Sequence, residues 1–540
     1  MKFCFNRSVL PISGWACVLF LCLISCTSPV RKNNIVILYD NDVHCAIAGY
    51  EKMAALRTQM LDSTKFVAVV SAGDFIQGNI IGNLSKGEYI VDIMNSVPYD
   101  YITIGNHEFD YNVPQLLKLT KQLKARTLCC NVERLGDKAE QPGQMLFPAY
   151  AVKNYGGTKV AFVGVATPTT FNTSTPTFFL NEAGKVVYDF HAGSTFALIQ
   201  EAVDKARSEG AEYIIVLSHL GDDTEVDNSV NMIAATHGID AVIDGHQHHI
   251  IPCRKIADAS GDSVILTSTG TGFQYIGQLV ISPEGVLSTT LIETASYEGT
   301  NAKTLSRINQ AKANAEKEEM RVVGYTPFPL TDADAAGERL VRRGETNLSD
   351  FVADAMRFVT GADIGVVHGG GIRAALPAGD LTYGLIVSVF PFNNWMAKIE
   401  MTGRQLMDCM EVGVREWPKE NGDFHIASGL RYTIDPSIPS SVLFDENNLF
   451  AGVGNTRRIV SMEVLLNGIW TPVDPERTYT VGGLDYTLVN KGASGMFAEG
   501  VPVPFEPIKD TEAILQYLHS LGDTIPAAYA EPHGVFAVKK

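Results

Sequence analysis

Five short polar segments carry the residue types that bind metals and move protons: Asn41-Asp42-Val-His44, Gly73-Asp74, Gly105-Asn106-His107-Glu108, Ser218-His219 and Gly245-His246-Gln-His248. With His107 set aside as an acid and Asn41 as a neighbour, they offer two aspartates, one asparagine and four histidines, and no cysteine. Imidazole nitrogen with carboxylate and amide oxygen suits Zn²⁺, Mn²⁺, Co²⁺ or iron better than Ca²⁺ or a structural thiolate zinc. Asp110 follows His107 by three residues, so on a helical turn the two share a face, and the carboxylate can orient the ring and stabilise its charge. That pairing reads as an acid beside a metal. Each segment also has an ordinary reading: Asp-x-His as a turn or surface pair, Gly-Asp as a turn, Asn-His as a helix cap. Five of them in one chain favour the metal site.

Such residues need rigid supports. Short apolar runs at 35–38, 66–70, 160–164 and 213–217 read as buried strands, and up to about residue 294 they alternate with longer helical patterns. Asp42 and His44, then Asp74, then His219 closely follow three of these runs. Side chains at strand ends are how layered α/β folds build sites, so the expected class is α/β. The chain is too long for one ordinary core and predicts two to three units. Residues 301–321 are rich in helix formers and charge with little apolar content, which predicts a mostly exposed helix joining two domains. Beyond it, 322–540 has its own amphipathic helix at 348–359 and a strand-like run at 459–466.

The first 26 residues read as an address. Lys2 and Arg7 give a positive start, 9–24 is largely apolar but short for a bilayer span, and Leu23-Ile-Ser-Cys26 closes the run with small residues before a cysteine. This resembles the lipobox of bacterial lipoproteins, which implies cleavage before Cys26, its lipidation, and a body held at a membrane of the bacterial cell envelope. Simple cleavage and secretion is the other reading. Loss of the leader removes Lys2 and Arg7 and no acid, leaving a body more acidic than the full chain's −17. That excludes broad binding of nucleic-acid polymers or anionic lipid, and an anionic substrate must meet a local positive site. Cys45, Cys129, Cys130, Cys253 and Cys409, an odd and sparse set, predict no dependence on disulfides. Cys129 and Cys130 read as buried strand residues. Cys45 and His249, each next to a candidate ligand, are expected to face away by alternation along extended segments. No signal for an oligomeric state is legible.

The ordered signature D-x-H, G-D, G-N-H-[DE], H, G-H-x-H resembles the calcineurin-like metallophosphoesterase superfamily. With Gly369-Gly-Gly-Ile-Arg373, and Leu376-Pro-Ala-Gly-Asp380 and Val389-Phe-Pro-Phe-Asn-Asn394 after it, the likeness narrows to the 5′-nucleotidases, including bacterial UDP-sugar hydrolases and animal ecto-5′-nucleotidase, over roughly residues 34–540. The resemblance implies a four-layer α/β/β/α metallophosphoesterase domain at 34–300, a linker helix, and a separate α/β substrate-binding domain at 322–540. It implies two divalent metal ions: Asp42, His44 and His248 on the first, Asn106, His219 and His246 on the second, and Asp74 between them. His107, held by Asp110, would act on the phosphoryl group or the leaving alkoxide. Arg342 and Arg373 would meet the phosphate region, with Phe392, Asn394 and Tyr486 in the nucleotide pocket. The implied reaction is hydrolysis of nucleoside 5′-monophosphates, with cyclic-nucleotide phosphodiesterase or nucleotide-sugar pyrophosphatase activity as the enzyme alternatives. A lipoprotein that only captures nucleotide or metal is the alternative of another class. In the C-terminal segment the sequence departs from the family: Ser494 stands where an Asp would accept ribose hydroxyls, the segment from Asp485 reads two residues longer, and His368 precedes the glycines.

Overall fold

The computed structural model describes residues 33–539 apart from 182, 184, 224–225, 446–448, 490–493 and 506–507. The leader and Cys26 lie outside the described residues, as does part of the departing segment after Asp485.

The apolar run after residue 34 becomes strand β1 (Ile35–Asp40), and all six of its residues are buried because both its faces are covered. Ile35, Ile37 and Tyr39 point into a core shared with Phe162, Leu217 and Ile243 of a second sheet. Val36 and Leu38 point the other way, onto a layer that includes Tyr50 and Met53 of helix α1 (Ala48–Ser63) and Ile90 of helix α2 (Glu88–Met94). The first sheet adds β2 (Val67–Ser71), β3 (Tyr101–Ile102) and β4 (Arg126–Thr127). The second contains β5 (Tyr150–Tyr155), β6 (Thr158–Ala166), β7 (Tyr213–His219), β8 (Ala241–Asp244), β9 (Ile250–Ala257) and β10 (Ser263–Thr269). With β11 (Tyr275–Ile281) and β12 (Leu287–Glu293) the first sheet runs β12-β11-β1-β2-β3-β4, and the second runs β9-β10-β8-β7-β6-β5. Helices α3 (Thr195–Ser208) and α4 (Ser229–Ala235) cover the outer face of the second sheet through Ile199, Val203 and Met232. The layers are therefore helix, sheet, sheet, helix.

Parallel pairing decides where the chemistry goes. β1, β2, β3 and β4 are mutually parallel, as are β6, β7, β8 and β10, so within each sheet the central strands end on one edge. Asp42 and His44 follow β1, Asp74 follows β2, Asn106 and His107 follow β3, His219 ends β7, and His246 and His248 follow β8. One interaction ties two of these ends together, those of β2 and β3. The buried carboxylate of Glu108 accepts from the backbone N–H groups of Asp74 and Gly105 through Oε2, both at 2.7 Å, and from Phe75 and Ile76 through Oε1 at 2.8 and 3.4 Å.

Helix α5 (Ala302–Glu319) is mostly exposed, as its composition predicts, but Thr304, Ile308, Ala311 and Ala315 form a narrow buried stripe. Ile308, Ala311 and Ala315 belong to the same core as α1, so the helix is seated on the first domain. Alanine at the contact permits that close approach with little apolar content. The second domain centres on a five-stranded sheet and on helix α6 (Asn347–Thr360), which a reciprocal Thr346–Ser349 capping box opens and the left-handed Gly361 closes. The strand-like run at 459–466 forms the strand Ile459–Leu466.

Replacing Glu108 by Ala strands four buried N–H groups, and at about 1.5–3 kcal/mol for a bond to a charged acceptor the expected loss is at least about 3 kcal/mol of first-domain stability. Glu108→Gln is expected to give little rescue, because its NH₂ would face N–H donors. Urea unfolding of both variants checks this, and wild-type stability in either one would refute the clamp.

Candidate metal centre

Asp42 is fully buried, and Asn41 fixes it by donating from Nδ2 to its Oδ2 at 2.7 Å. Asn41 is fixed in turn by the N–H and hydroxyl of Thr269, which donate to its Oδ1 at 2.8 and 2.7 Å. The His246 N–H reaches both oxygens of Asp42 at 3.0 Å. His44 sets Nδ1 on the Gln77 carbonyl, 3.2 Å away, which turns Nε2 inward to 3.0 Å from His248 Nε2 and 3.8 Å from Asp74 Oδ2. His219 donates from Nδ1 to the Ala72 carbonyl at 2.7 Å, leaving Nε2 3.0 Å from Asp74 Oδ2 and 3.8 Å from Asp42 Oδ1. His246 Nδ1 lies 3.1 Å from Asn106 Oδ1. The seven predicted ligands thus converge. Asp74 faces one histidine of each predicted set, and Asp42 also stands near both.

The donors fit divalent cations of the zinc, manganese, cobalt or iron type. The fully buried Nε2 of His219 faces Asp74 Oδ2 at 3.0 Å without an aligned hydrogen bond, which leaves its lone pair open to a cation. The donor atoms of Asp42, His44 and His248 lie within 4.8 Å of one another, as do those of Asp42, Asp74 and His219. Backbone carbonyls fix the orientation of His44 and His219, as outer partners commonly do for metal-ligating imidazoles.

Electrostatics sort the histidines. Burial lowers the pKa of His44, His246 and His248, His246 to about 4, so these rings are neutral and ready to donate a lone pair. Burial also opposes charge on His219, but Asp74 and Asp42 outweigh it and carry that ring up to about 10. His107 is likewise lowered by burial and raised, to a net of about 9, by Asp74 and Asp110. The carboxyl of Asp74, which burial alone would push up, is held well below the ordinary range by His219 and His107.

His107 donates from Nδ1 to Asp110 Oδ2 at 2.7 Å. The sequence predicts this pair on the face of a helix; the structure provides a single 3₁₀ turn, His107–Phe109, capped by Asp110. Three residues per turn bring positions i and i+3 into line. The His107 ring stands edge-on to His44 with centroids 5.3 Å apart, so the acid adjoins the donor cluster.

Two local features escape pattern reading. Asp42, His44, Asp74, His246 and His248 all have φ between 47° and 80°, a left-handed backbone that costs a non-glycine residue about 1 kcal/mol or more. Gly105 must lack a side chain because a Cβ there would lie 2.1 Å from Asp74 Oδ1. The extended path assumed for Cys45 is also wrong. Residue 45 is left-handed at φ 60°, and its buried thiol faces the Phe75 carbonyl at 3.8 Å, away from the donors for a different reason. His249 binds Asp222 at 2.7 Å on the surface. Glu108 and Asn41 were visible only as motif letters, although a carboxylate two residues after a ligand is a signal for a backbone clamp.

In the second domain the Arg373 guanidinium lies 5.6 Å above the exposed Phe392 ring and donates from Nη1 to the Gly370 carbonyl at 3.3 Å. Burial and the charges of Arg339 and Arg373 lower the pKa of Arg342, whose buried Nε makes no hydrogen bond. The exposed ring of Tyr486 lies 5.7 Å from His368, a half-buried imidazole that desolvation keeps neutral, with Nδ1 3.1 Å from the Thr487 hydroxyl. Arg342, Arg373 and Phe392 are thus brought together. Asn394 directs its backbone N–H and its amide to Asp510 Oδ2, at 2.9 and 3.4 Å, in a structural role. The Ser494 hydroxyl is buried without a hydrogen bond.

Comparison with known proteins adds two family matches: calcineurin-like phosphoesterase over residues 36–249 and the 5′-nucleotidase C-terminal domain over 322–499. The chain is 25% identical over 441 residues to the trifunctional nucleotide phosphoesterase protein YfkN of Bacillus subtilis, covering 74% of this chain but only 29% of that protein's length. It is 24% identical to the snake venom 5′-nucleotidase of Naja atra, across 91% of this chain and 97% of that one. In structure it resembles the NAD nucleotidase of Haemophilus influenzae, with a TM-score of 0.60 at 20% identity over 94% of this chain and 99% of the other. Two matched domains in this order, with the donor cluster inside the first, place the chain in the 5′-nucleotidase family, a calcineurin-like metallophosphoesterase domain followed by a 5′-nucleotidase C-terminal domain.

Proposed function

We propose that this chain is an exported, metal-dependent phosphohydrolase that releases phosphate from nucleoside 5′-monophosphates, serving nucleoside and phosphate salvage outside the cytoplasm. The observation that carries the reading is the His107–Asp110 pair beside the donor cluster. A protein that only captured metal or nucleotide would have no use for a protonated imidazole there.

Asp42, His44 and His248 would hold one divalent cation and Asn106, His219 and His246 a second, with Asp74 between them. When bound, such a pair lowers the pKa of a water and neutralises charge on phosphoryl oxygens. His107 commits Nδ1 to Asp110, so Nε2 carries the proton offered to a phosphoryl oxygen or to the departing alkoxide. Arg342 and Arg373 supply the positive charge that an acidic chain needs to meet an anionic ester, and Phe392 and Tyr486 expose ring faces to a base. The nucleotide preference is supported by the match of the C-terminal domain and by relatives named 5′-nucleotidase. The leader ending at Cys26 supports export and lipid anchoring at the cell envelope.

The test is hydrolysis of AMP, UMP, a 2′,3′-cyclic nucleotide and UDP-glucose by metal-loaded protein, with and without chelator, read by chromatography as phosphate and nucleoside, as an opened nucleotide, or as UMP and glucose 1-phosphate. Chelator-sensitive release from AMP or UMP is expected. An opened nucleotide from the cyclic substrate, or UMP and glucose 1-phosphate from UDP-glucose, with AMP and UMP untouched, would move the activity to the alternative reaction, and no product from any would remove the nucleotidase reading. His107→Ala should lower the rate roughly 10²–10⁴-fold with metal content unchanged; an unaltered rate would take His107 out of the mechanism. Cys26→Ala should shift the protein from the membrane to the soluble fraction, and unchanged partitioning would rule out the anchor.

A further inference from the structure

Between the two domains lies a cavity of about 640 Å³, lined by Asn83, Lys86 and Tyr111 on one side and Trp395, Lys509 and Glu512 on the other. Beside this opening the loop that bears Phe392 meets the first domain at two points. Asn393, left-handed at φ 57°, donates from Nδ2 to Asn83 Oδ1 at 3.1 Å, and the same oxygen accepts the Tyr111 hydroxyl at 2.7 Å. Trp395 meets the Phe178 ring edge-on with centroids 4.7 Å apart. Lys509 joins the two contacts: its ammonium donates to the Asn393 carbonyl at 2.8 Å and lies 3.9 Å above the Trp395 ring.

Both ends of this contact reach functional groups. On the first domain, Tyr111 follows Asp110 directly, and Ser174, four residues before Phe178, donates to Asp110 Oδ1 at 3.1 Å. The seat is therefore built around the carboxylate that holds His107. On the second domain, the backbone N–H of Trp395 donates to Asp485 Oδ1 at 3.1 Å, and the backbone N–H of Tyr486 reaches the same oxygen at 2.7 Å. The loop thus ties Phe392 on one side and Tyr486 on the other to a single docking point.

We propose that Asn393 and Trp395 are positioning residues that seat the second domain on the support of Asp110, so that the two exposed rings and the His107–Asp110 pair share one geometry only while this loop is docked. The consequence for turnover rests on the hydrolase reading above; the docking does not.

Docking is measured without turnover in the full chain carrying Trp15→Phe, Trp417→Phe and Trp470→Phe, which leaves Trp395 as its one tryptophan. Asn83→Ala, on the opposite domain, is expected to shift the Trp395 emission to the red and increase its quenching by acrylamide. Unchanged emission and quenching would overturn the docking. Kinetics on the best nucleotide of the panel above, whose base meets the two rings while its phosphate meets the His107–Asp110 pair, then reads the positioning. Asn393→Ala and Trp395→Ala are each expected to lower kcat roughly ten- to a hundredfold, with metal content and melting temperature held. Trp395→Phe should restore most of the rate, and Asn83→Ala/Asn393→Ala should fall no further than either single change. Independent losses that multiply in the double variant, or losses confined to KM, would overturn the positioning role. A wild-type protein that cleaves no phosphate ester would end the hydrolase reading, while the emission measurement would still decide the docking.

Discussion

A carboxylate with almost no solvent contact, Asp74, governs the first domain. Removing such a charge from water costs several kcal/mol unless neighbours compensate it. Here the compensation is His219 at 3.0 Å, His44 at 3.8 Å and the His107 N–H donating to Oδ1 at 2.9 Å. The strand ends have to arrive around that one group; Gly105 keeps a side chain off it, and Gly73 keeps one off the Gly105 nitrogen and the His219 ring. Glu108, a second buried carboxylate nearby, is repelled by Asp74, and burial together with that charge raises its pKa to about 7. Its four backbone N–H partners offset the repulsion, so the element that endangers the arrangement also fixes it in place.

The sheets and the donor residues were legible in the sequence because both obey simple rules. The 35–38 run of β1 is apolar on both faces and must be sandwiched, and a polar residue shortly after such a strand falls on the edge where parallel strands end. What stayed hidden depends on backbone conformation. No residue type announces that five positions of the donor cluster turn left-handed, and the assumption of an extended segment through Cys45 failed for that reason. Helix α5 shows the same limit at the level of packing. Its alanines look neutral as a string and become a contact surface only when another helix lies close against them.

In the second domain, composition said that an acidic chain needs a local positive site, and Arg373 over Phe392 with Arg342 nearby is such a site. Spacing could not say which of two adjacent asparagines binds across the domain seam. Asn394 serves Asp510 inside its own domain, whereas Asn393 reaches Asn83 in the other. A one-residue step in a turn separates internal bracing from contact between domains.

The left-handed turns of the donor cluster also bear on how this site can change over generations. Asparagine, aspartate and histidine are the non-glycine residues that enter this conformation most readily. Exchanges among these three at residues 42, 44, 74, 246 and 248 therefore alter charge, softness and metal preference while the turns keep their shape. A longer or β-branched replacement must rebuild the turn before it can offer a ligand atom. The backbone itself thus marks out a small set of neighbouring sequences in which metal choice drifts and the fold stays the same.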